Sequence, residues 1–226
     1  MIIEFSVKNF LSFKERVTFS MLSNSNKGLD DNYVEYNDKK ILKTSAIYGA
    51  NASGKTNLFQ ILASVIYMLR NSNNFNMNSK LLIAPFKFDK KTINKPSEFE
   101  IKFIAENIRY VYGFVADSKK IYEEYLYYYP SGRETKIFDR TNTNEYSFPQ
   151  KDGRILNDIA SKTAANKFFI ATATNWNYEQ TKVPYKFLTV DINTFNNLSG
   201  LRDTAIREYL KNDNELKSFA LEFLKK

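Results

Sequence analysis

The chain has 226 residues, of which 43% are hydrophobic and 26% are charged, with a formal net charge of +8 at pH 7 and a pI near 9.3. It contains neither cysteine nor histidine, which excludes disulfides, thiolate or imidazole metal sites, thiol nucleophiles and histidine-based triads. Any chemistry must therefore use carboxylates, Lys and Arg, hydroxyls, amides or a bound metal–nucleotide complex.

The length allows one sizeable core, with or without a small appended lobe. No run of about twenty apolar residues and no charged-then-apolar leader occurs, so we expect a cytoplasmic protein without a membrane partner. The positive charge is compatible with DNA or another polyanion. Since the basic residues are spread along the chain and cluster only in pairs such as Lys90-Lys91, a generally basic, solvated surface explains the charge equally well.

The first part of the chain predicts strands, a loop, and then a strand followed by a helix. Apolar residues alternate over 2–19, which predicts two strands joined near 9–13. Residues 24–40 are rich in Asn, Asp and Lys and predict a surface loop. A short apolar strand is predicted at 46–48, and apolar residues at helical spacing over 58–69 predict a well-buried helix.

The second part predicts an antiparallel region followed by mostly helical segments. Period-two alternation over 97–148 predicts a meander of four or more strands. Residues 154–164 predict a helix, and the apolar run at 168–173 predicts a buried strand. Two more helices are predicted, one at about 200–210 and one from about 214 to the end, where its apolar stripe is still running.

Tyrosines are dense on the third predicted strand of the meander, at Tyr125 and at 127–129. Exposed aromatic rings can stack on nucleic-acid bases. However, aromatic residues that alternate on a half-buried sheet usually serve packing, and we favour that interpretation.

The strongest chemical signal follows the predicted strand at 46–48, where the sequence reads Gly-Ala-Asn-Ala-Ser-Gly-Lys-Thr. This is the P-loop pattern in its strand–loop–helix context. Gly49 and Gly54 allow a tight loop whose N–H groups face phosphate, and the helix adds the positive end of its dipole. Lys55 supplies a charge for the β- and γ-phosphates, and Thr56 a hydroxyl for Mg²⁺, so ATP and Mg²⁺ are the predicted cofactors. The predicted nucleotide-binding residues are Gly49, Ala50, Asn51, Ala52, Ser53, Gly54, Lys55, Thr56 and Asn57.

Three features carry a resemblance to a known family. The first strand runs into Val-Lys-Asn-Phe-Leu-Ser-Phe at 7–13, Asn51 lies inside the P-loop, and a meander follows the first helix. The chain resembles the N-terminal half of the ABC/SMC-like ATPases related to RecF. More narrowly, it is similar to the AAA-type ATP-binding proteins of the abortive-infection or overcoming-lysogenisation-defect-like group, which segment 123–135 also resembles.

The resemblance implies an α/β fold, that of an ABC/SMC-like P-loop NTPase head. The P-loop strand belongs to a mixed sheet, the meander forms an antiparallel lobe beside it, and the C-terminal part is helical. In this interpretation 1–226 is the N-terminal portion of one ATPase domain: 1–70 hold the first strands, the P-loop and the first helix, 97–148 the lobe, and 154–226 a helical and sheet segment. The chain would be a piece of a longer ATPase.

The family mechanism implies ATP held between two heads, and therefore a homodimer or another head-to-head assembly. Hydrolysis in that family uses a buried strand ending in Asp-Glu. The nearest approach is Leu-Thr-Val-Asp at 188–191, but Ile192 stands where Glu is needed. Leu-Ser-Gly at 198–200 can be interpreted as a fragment of the opposing signature motif, although a serine helix cap explains it better. The catalytic residues therefore stay unknown.

Two weaker metal candidates follow from the resemblance. A glutamine after the first strand beyond the meander contacts Mg²⁺ in the family, and Asn175 or Gln180 occupies that place. Lys14 or Arg16 can lie near the nucleotide by the same analogy, although solvated strand residues are the simpler interpretation. We expect an ATP–Mg²⁺-binding ATPase half-domain acting in phage defence or DNA-linked processes. The alternatives are a non-hydrolysing nucleotide sensor that regulates an effector nuclease or toxin subunit, and a RecF-like DNA-repair head.

Overall fold

A computed structural model describes the fold of this chain. The described residues are 1–23, 30–194 and 214–224. The chain divides into two compact units, Met1–Ile192 and Asn193–Lys226. Within the described ranges, no helix is both long and apolar enough to cross a membrane.

The first unit is built on a seven-stranded sheet and a separate two-stranded hairpin. Its strands are β1 (Ile2–Lys8), β2 (Val17–Ser20), β3 (Tyr33–Tyr36), β4 (Lys39–Leu42), β5 (Ser97–Ala105), β6 (Ile108–Ala116), β7 (Ile121–Tyr129), β8 (Thr135–Thr141) and β9 (Glu145–Ser147). The sheet order is β2-β1-β5-β6-β7-β8-β9, and β3 pairs with β4. Neighbouring strands are antiparallel throughout.

The predicted N-terminal strands and the predicted meander are both present, but they form one sheet. Strand β1 pairs with β5, with Phe5 opposite Ile101 and Val7 opposite Phe99. Both strands alternate apolar and polar residues, so pairing them side by side places the two apolar rows on the same face. The prediction of a mixed sheet with a separate lobe is therefore corrected for the described residues, which contain only antiparallel strand pairs.

Helix α1 (Lys55–Asn71) supplies the helical side of the core. Its long apolar side chains recur at helical spacing and are buried, as the sequence predicts. These residues are Leu58, Ile61, Leu62, Val65, Ile66, Met68 and Leu69. They join the inward row of β5, Phe99, Ile101 and Phe103, in one hydrophobic cluster. The helix that begins at the P-loop is therefore firmly anchored.

Two predictions between β2 and α1 are wrong. Residues 46–48 form no strand, and Tyr48 is 89% exposed, because no described strand lies beside this segment to bond its backbone. Within the described part of the predicted loop at 24–40, residues 33–36 form β3 and 39–40 begin β4, and this hairpin turns at Asn37 with a positive φ of 54°. An Asn-Asp turn between alternating residues is a recognisable hairpin signal.

The meander is followed by α2 (Gly153–Ser161), α3 (Phe169–Asn175), α4 (Glu179–Lys186) and a π-helical turn (Phe187–Asp191). The helix predicted at 154–164 is confirmed as α2. The strand predicted at 168–173 is wrong, since this segment begins α3. Residues 168–173 are all buried, and a segment buried on every side has a continuous apolar run whether it is helix or strand.

A buried ion pair holds α3 on the sheet. Glu124 and Arg140 are almost fully buried, and their charged groups approach to 3.7 Å. The Glu124 carboxylate accepts hydrogen bonds from the backbone N–H groups of Phe169 and Ile170 and from the hydroxyl of Tyr112. Burial raises the pKa of the Glu124 carboxyl, while Arg140 and these donors oppose the rise. A carboxylate from β7 thus caps the N-terminus of a helix that follows far along the chain.

In the second unit, the described element is helix α5 (Asn214–Leu224). It confirms the prediction of a helix from about residue 214. The helix predicted at about 200–210 and the signature fragment at 198–200 lie outside the described residues.

Candidate functional site

The predicted P-loop is a tight, exposed turn at the start of α1. Ala52 and Gly54 both have positive φ, 62° and 94°. A Cβ added at Gly49 would lie 2.9 Å from Ser53 Oγ and 3.8 Å from Lys55 Cδ, so glycine is needed where the loop closes on itself. Alternation of right- and left-handed residues turns successive N–H groups toward one concave side, which is the geometry that binds anions.

The first turn of α1 adds to this anion-binding geometry. Gly54 is the N-cap, no side chain caps the helix, and the first turn carries no acidic residue. The N–H groups of a first helical turn have no partner inside the helix. They are therefore available to an anion, and the helix dipole favours one.

Lys55 and Thr56, the residues predicted to contact phosphate and Mg²⁺, begin α1. The ammonium of Lys55 reaches back across the loop and donates to the carbonyl oxygens of Gly49 and Ala50, each at 2.7 Å. These bonds hold the positive charge of Lys55 against the backbone of the loop. Thr56 is exposed in the first helical turn, where its hydroxyl is accessible to a metal ion.

The turn at 9–13 packs against the P-loop, a contact that sequence reasoning missed. A Cβ added at Gly54 would lie 2.9 Å from Ser12 Oγ and 3.4 Å from the ring of Phe13. The turn is closed by paired hydrogen bonds between the backbones of Phe10 and Phe13. The sequence at 7–13 contributed to the family resemblance, but no local pattern indicates which part of the chain the turn contacts.

The other two metal candidates, Asn175 and Gln180, lie in helices that form hydrogen bonds near the C-terminal end of α1. Asn175 ends α3 and Gln180 lies in α4. Asn73, just beyond α1, bonds Ala171 of α3, and Tyr185 of α4 bonds Leu69. These bonds lie at the end of α1 remote from the P-loop, and a helix of this length spans about 24 Å at a rise of roughly 1.5 Å per residue.

Residues 188–191, the nearest match to the buried strand that ends in Asp-Glu, do not form a strand. Residues 187–191 form the π-helical turn, in which Leu188 is buried and Val190 is 60% exposed. Asp191 is therefore not delivered by a buried strand. In the described part of the chain, no group of three or more acidic side chains is arranged to hold a metal ion.

The remaining candidates are engaged elsewhere. Lys14 pairs with Asp89 at 2.7 Å, and Arg16 pairs with Glu98 at 2.9 Å. Three hydroxyls of the tyrosine row on β7 donate to carboxylates. The pairs are Tyr125 with Glu100, Tyr127 with Asp139 and Tyr129 with Glu134. The three carboxylates beside these tyrosines repel a polyanion, which supports the packing interpretation of the tyrosines.

An anion-binding loop at the start of a buried helix is typical of the P-loop ATP-binding proteins. The family model described as "AAA domain, putative AbiEii toxin, Type IV TA system" matches residues 45–220, well over half of the chain. The chain belongs to this family of ATP-binding ATPases. Among curated proteins, none matches the chain.

Proposed function

We propose that residues 49–56 bind ATP–Mg²⁺ and that the protein acts as an ATPase of phage defence. The observation that carries the ATP site is the P-loop geometry: glycines at the two points of closest approach, a lysine ammonium across the loop, and an uncapped helix N-terminus behind it. Each of these features favours a phosphate chain.

The residues have distinct roles in this proposal. The N–H groups of the loop and of the first helical turn hold the phosphate oxygens, and Lys55 neutralises the β- and γ-phosphates. Thr56 ligates Mg²⁺, which when bound neutralises charge that develops between the phosphates. Gly49 and Gly54 keep the loop compact enough for backbone groups to reach the ligand.

The biological context rests on the family description, which names a toxin and type IV toxin–antitoxin systems. In this proposal the protein acts in the cytoplasm, and ATP binding would gate an effector. Head-to-head association would complete the site with groups from a second copy or another subunit. A nucleotide-sensing module that does not hydrolyse ATP is the second candidate, favoured by the lack of an acidic metal-holding cluster in the described ranges.

Substitution of Lys55 tests the site directly. We expect Lys55→Ala to weaken ATP–Mg²⁺ binding roughly 10- to 100-fold, because a charge-assisted contact to phosphate contributes about 1.5–3 kcal/mol. Isothermal titration calorimetry with ATP and Mg²⁺ measures the change, and a melting curve checks that the variant folds.

Lys151→Ala is the matched control, since Lys151 is an exposed lysine in the 3₁₀ turn before α2 and has only a 4.0 Å contact with Asp152. It should bind ATP as the unmodified chain does. Equal affinity of the Lys55→Ala variant and the unmodified chain would contradict the proposed site.

A further inference from the structure

A second charged feature lies between α1 and β5, in residues 86–96, which we name the basic loop. Within nine positions it carries four exposed lysines, Lys87, Lys90, Lys91 and Lys95. None of these four ammonium groups forms an ion pair with another described residue. Several lysines elsewhere in the chain differ: Lys8, Lys102, Lys136, Lys162 and Lys182 have carboxylate partners.

The basic loop is held in a fixed conformation by one buried residue. Asn9 is 4% exposed and has a positive φ of 50°. Its side-chain amide donates to the carbonyls of Thr92, Lys95 and Pro96 at 2.9–3.1 Å, and its oxygen accepts from the N–H of Phe86. The backbone of the loop is therefore already ordered before binding.

The acidic residue of the loop does not cancel its charge. Asp89 accepts from Lys14 and from the backbone N–H of Lys91, and the hydrogen bond from Lys14 holds its pKa below the ordinary value. Asp89 is thus neutralised by a lysine outside the loop. Lys91 and Lys95 also line a cavity of about 360 Å³ between the loop and the end of β1, which leaves room beside them.

An aromatic ring projects from the middle of these lysines. Phe88 is 92% exposed, between Lys87 and the Lys90-Lys91 pair. Its ring contacts Phe86 edge to face, with centroids 5.8 Å apart, so it is supported from one side only. An exposed aromatic ring surrounded by unpaired cations matches the chemistry of unpaired bases on a phosphate backbone.

We propose that the basic loop binds single-stranded nucleic acid, with Lys87, Lys90, Lys91 and Lys95 on phosphates and Phe88 stacked on a base. The four lysines supply sequence-independent affinity. An anionic membrane would also attract the lysines, but one large exposed ring gives little apolar area for insertion. This surface uses no residue of the P-loop, so the proposal stands apart from the ATP site.

The test compares two pairs of neighbouring lysines that remove the same charge. Binding of a fluorescent oligothymidylate, longer than a site of about 4–16 nucleotides, is measured by anisotropy over a range of salt concentrations. We expect Lys90→Ala/Lys91→Ala to weaken binding and to lower the salt slope by about 1.4. Lys119→Ala/Lys120→Ala, in the turn between β6 and β7, should leave both unchanged.

Substitution of the ring separates stacking from charge. We expect Phe88→Ala to weaken binding roughly 5- to 100-fold with little change in salt slope. No binding by the unmodified chain at low salt, or equal losses in the two lysine pairs, would overturn the proposal. So would binding to vesicles of phosphatidylserine and phosphatidylcholine in place of the oligonucleotide. We expect the same variants to bind ATP as the unmodified chain does. Loss of oligonucleotide binding with normal ATP binding therefore concerns the basic loop and not the ATP site.

Discussion

Gly54 is the residue at which the P-loop meets the N-terminal turn. Its φ of 94° belongs to the left-handed region, and a Cβ added there would lie 2.9 Å from Ser12 Oγ and 3.4 Å from the ring of Phe13. Glycine thus serves two purposes here, one conformational and one steric. The motif pattern explains the first purpose, whereas the second depends on a turn more than forty positions earlier in the chain.

We expect Gly54→Ala to lower the free energy of unfolding by about 1–3 kcal/mol and to weaken ATP binding, because the new methyl group strains the backbone and meets Ser12 Oγ. Urea denaturation and calorimetry measure the two effects. Gly132→Ala is the control, since Gly132 also has a positive φ, 79°, but an added Cβ there has no atom within 4 Å. If both variants lost the same stability, the close approach of the new methyl group to Ser12 Oγ would not be destabilising.

At the scale of elements, α3 depends on a partner that lies elsewhere in the chain. Its N-terminal N–H groups are bound by Glu124 of β7, and Glu124 is balanced by Arg140 of β8. Arg140 in turn donates to the carbonyls of Thr143 and Lys167, which fixes the segment before α3. The buried pair therefore joins two strands, a loop and a helix.

Glu124→Gln should destabilise the fold by about 3–5 kcal/mol, because it leaves the Arg140 charge buried without its counter-ion. The free energy of unfolding in urea is the measurement. Glu123→Gln, at the exposed neighbouring position on the same strand, makes the same chemical change and should cost less than about 0.5 kcal/mol. A loss in Glu124→Gln as small as in this control would contradict the importance of the ion pair.

For the molecule as a whole, the described residues provide features that bind phosphate but not the carboxylates that hydrolysis needs. The described residues gather an anion-binding loop at the start of α1, but they place no acidic metal-holding cluster. The acidic residue nearest to the required pattern, Asp191, lies in a π-helical turn. ATP binding and turnover can therefore be separated experimentally.

We expect the chain alone to bind ATP–Mg²⁺ while releasing phosphate no faster than its Lys55→Ala variant. The physical reason is that the P-loop holds the phosphates but does not orient the attacking water. In the related ATPases a carboxylate has that role, and hydrolysis is slow without it. Phosphate release at saturating ATP measures turnover. Release well above the level of the Lys55→Ala variant would show that the chain completes a hydrolytic site without a partner.

Elements with a clear local pattern could be predicted from the residues alone. Helix α1, the alternating strands of the meander and helix α2 follow from periodicity, because burial of one face imposes a period on the side chains. The identities at Gly49, Gly54, Lys55 and Thr56 likewise indicate an anion-binding loop, since the backbone conformation and the charges are local properties.

The way these parts meet depends on contacts that form in the folded chain. The fully buried segment at 168–173 carries no usable period, and it becomes helical where Glu124 binds its N–H groups. The segment at 46–48 has a strand-like composition, but no strand of the described ranges pairs with it. Three contacts join positions that are distant in the sequence. Strand β1 pairs with β5, Ser12 packs against Gly54, and Asn9 forms hydrogen bonds with the basic loop. Such contacts depend on the packing of the whole chain, which no local pattern of residues encodes.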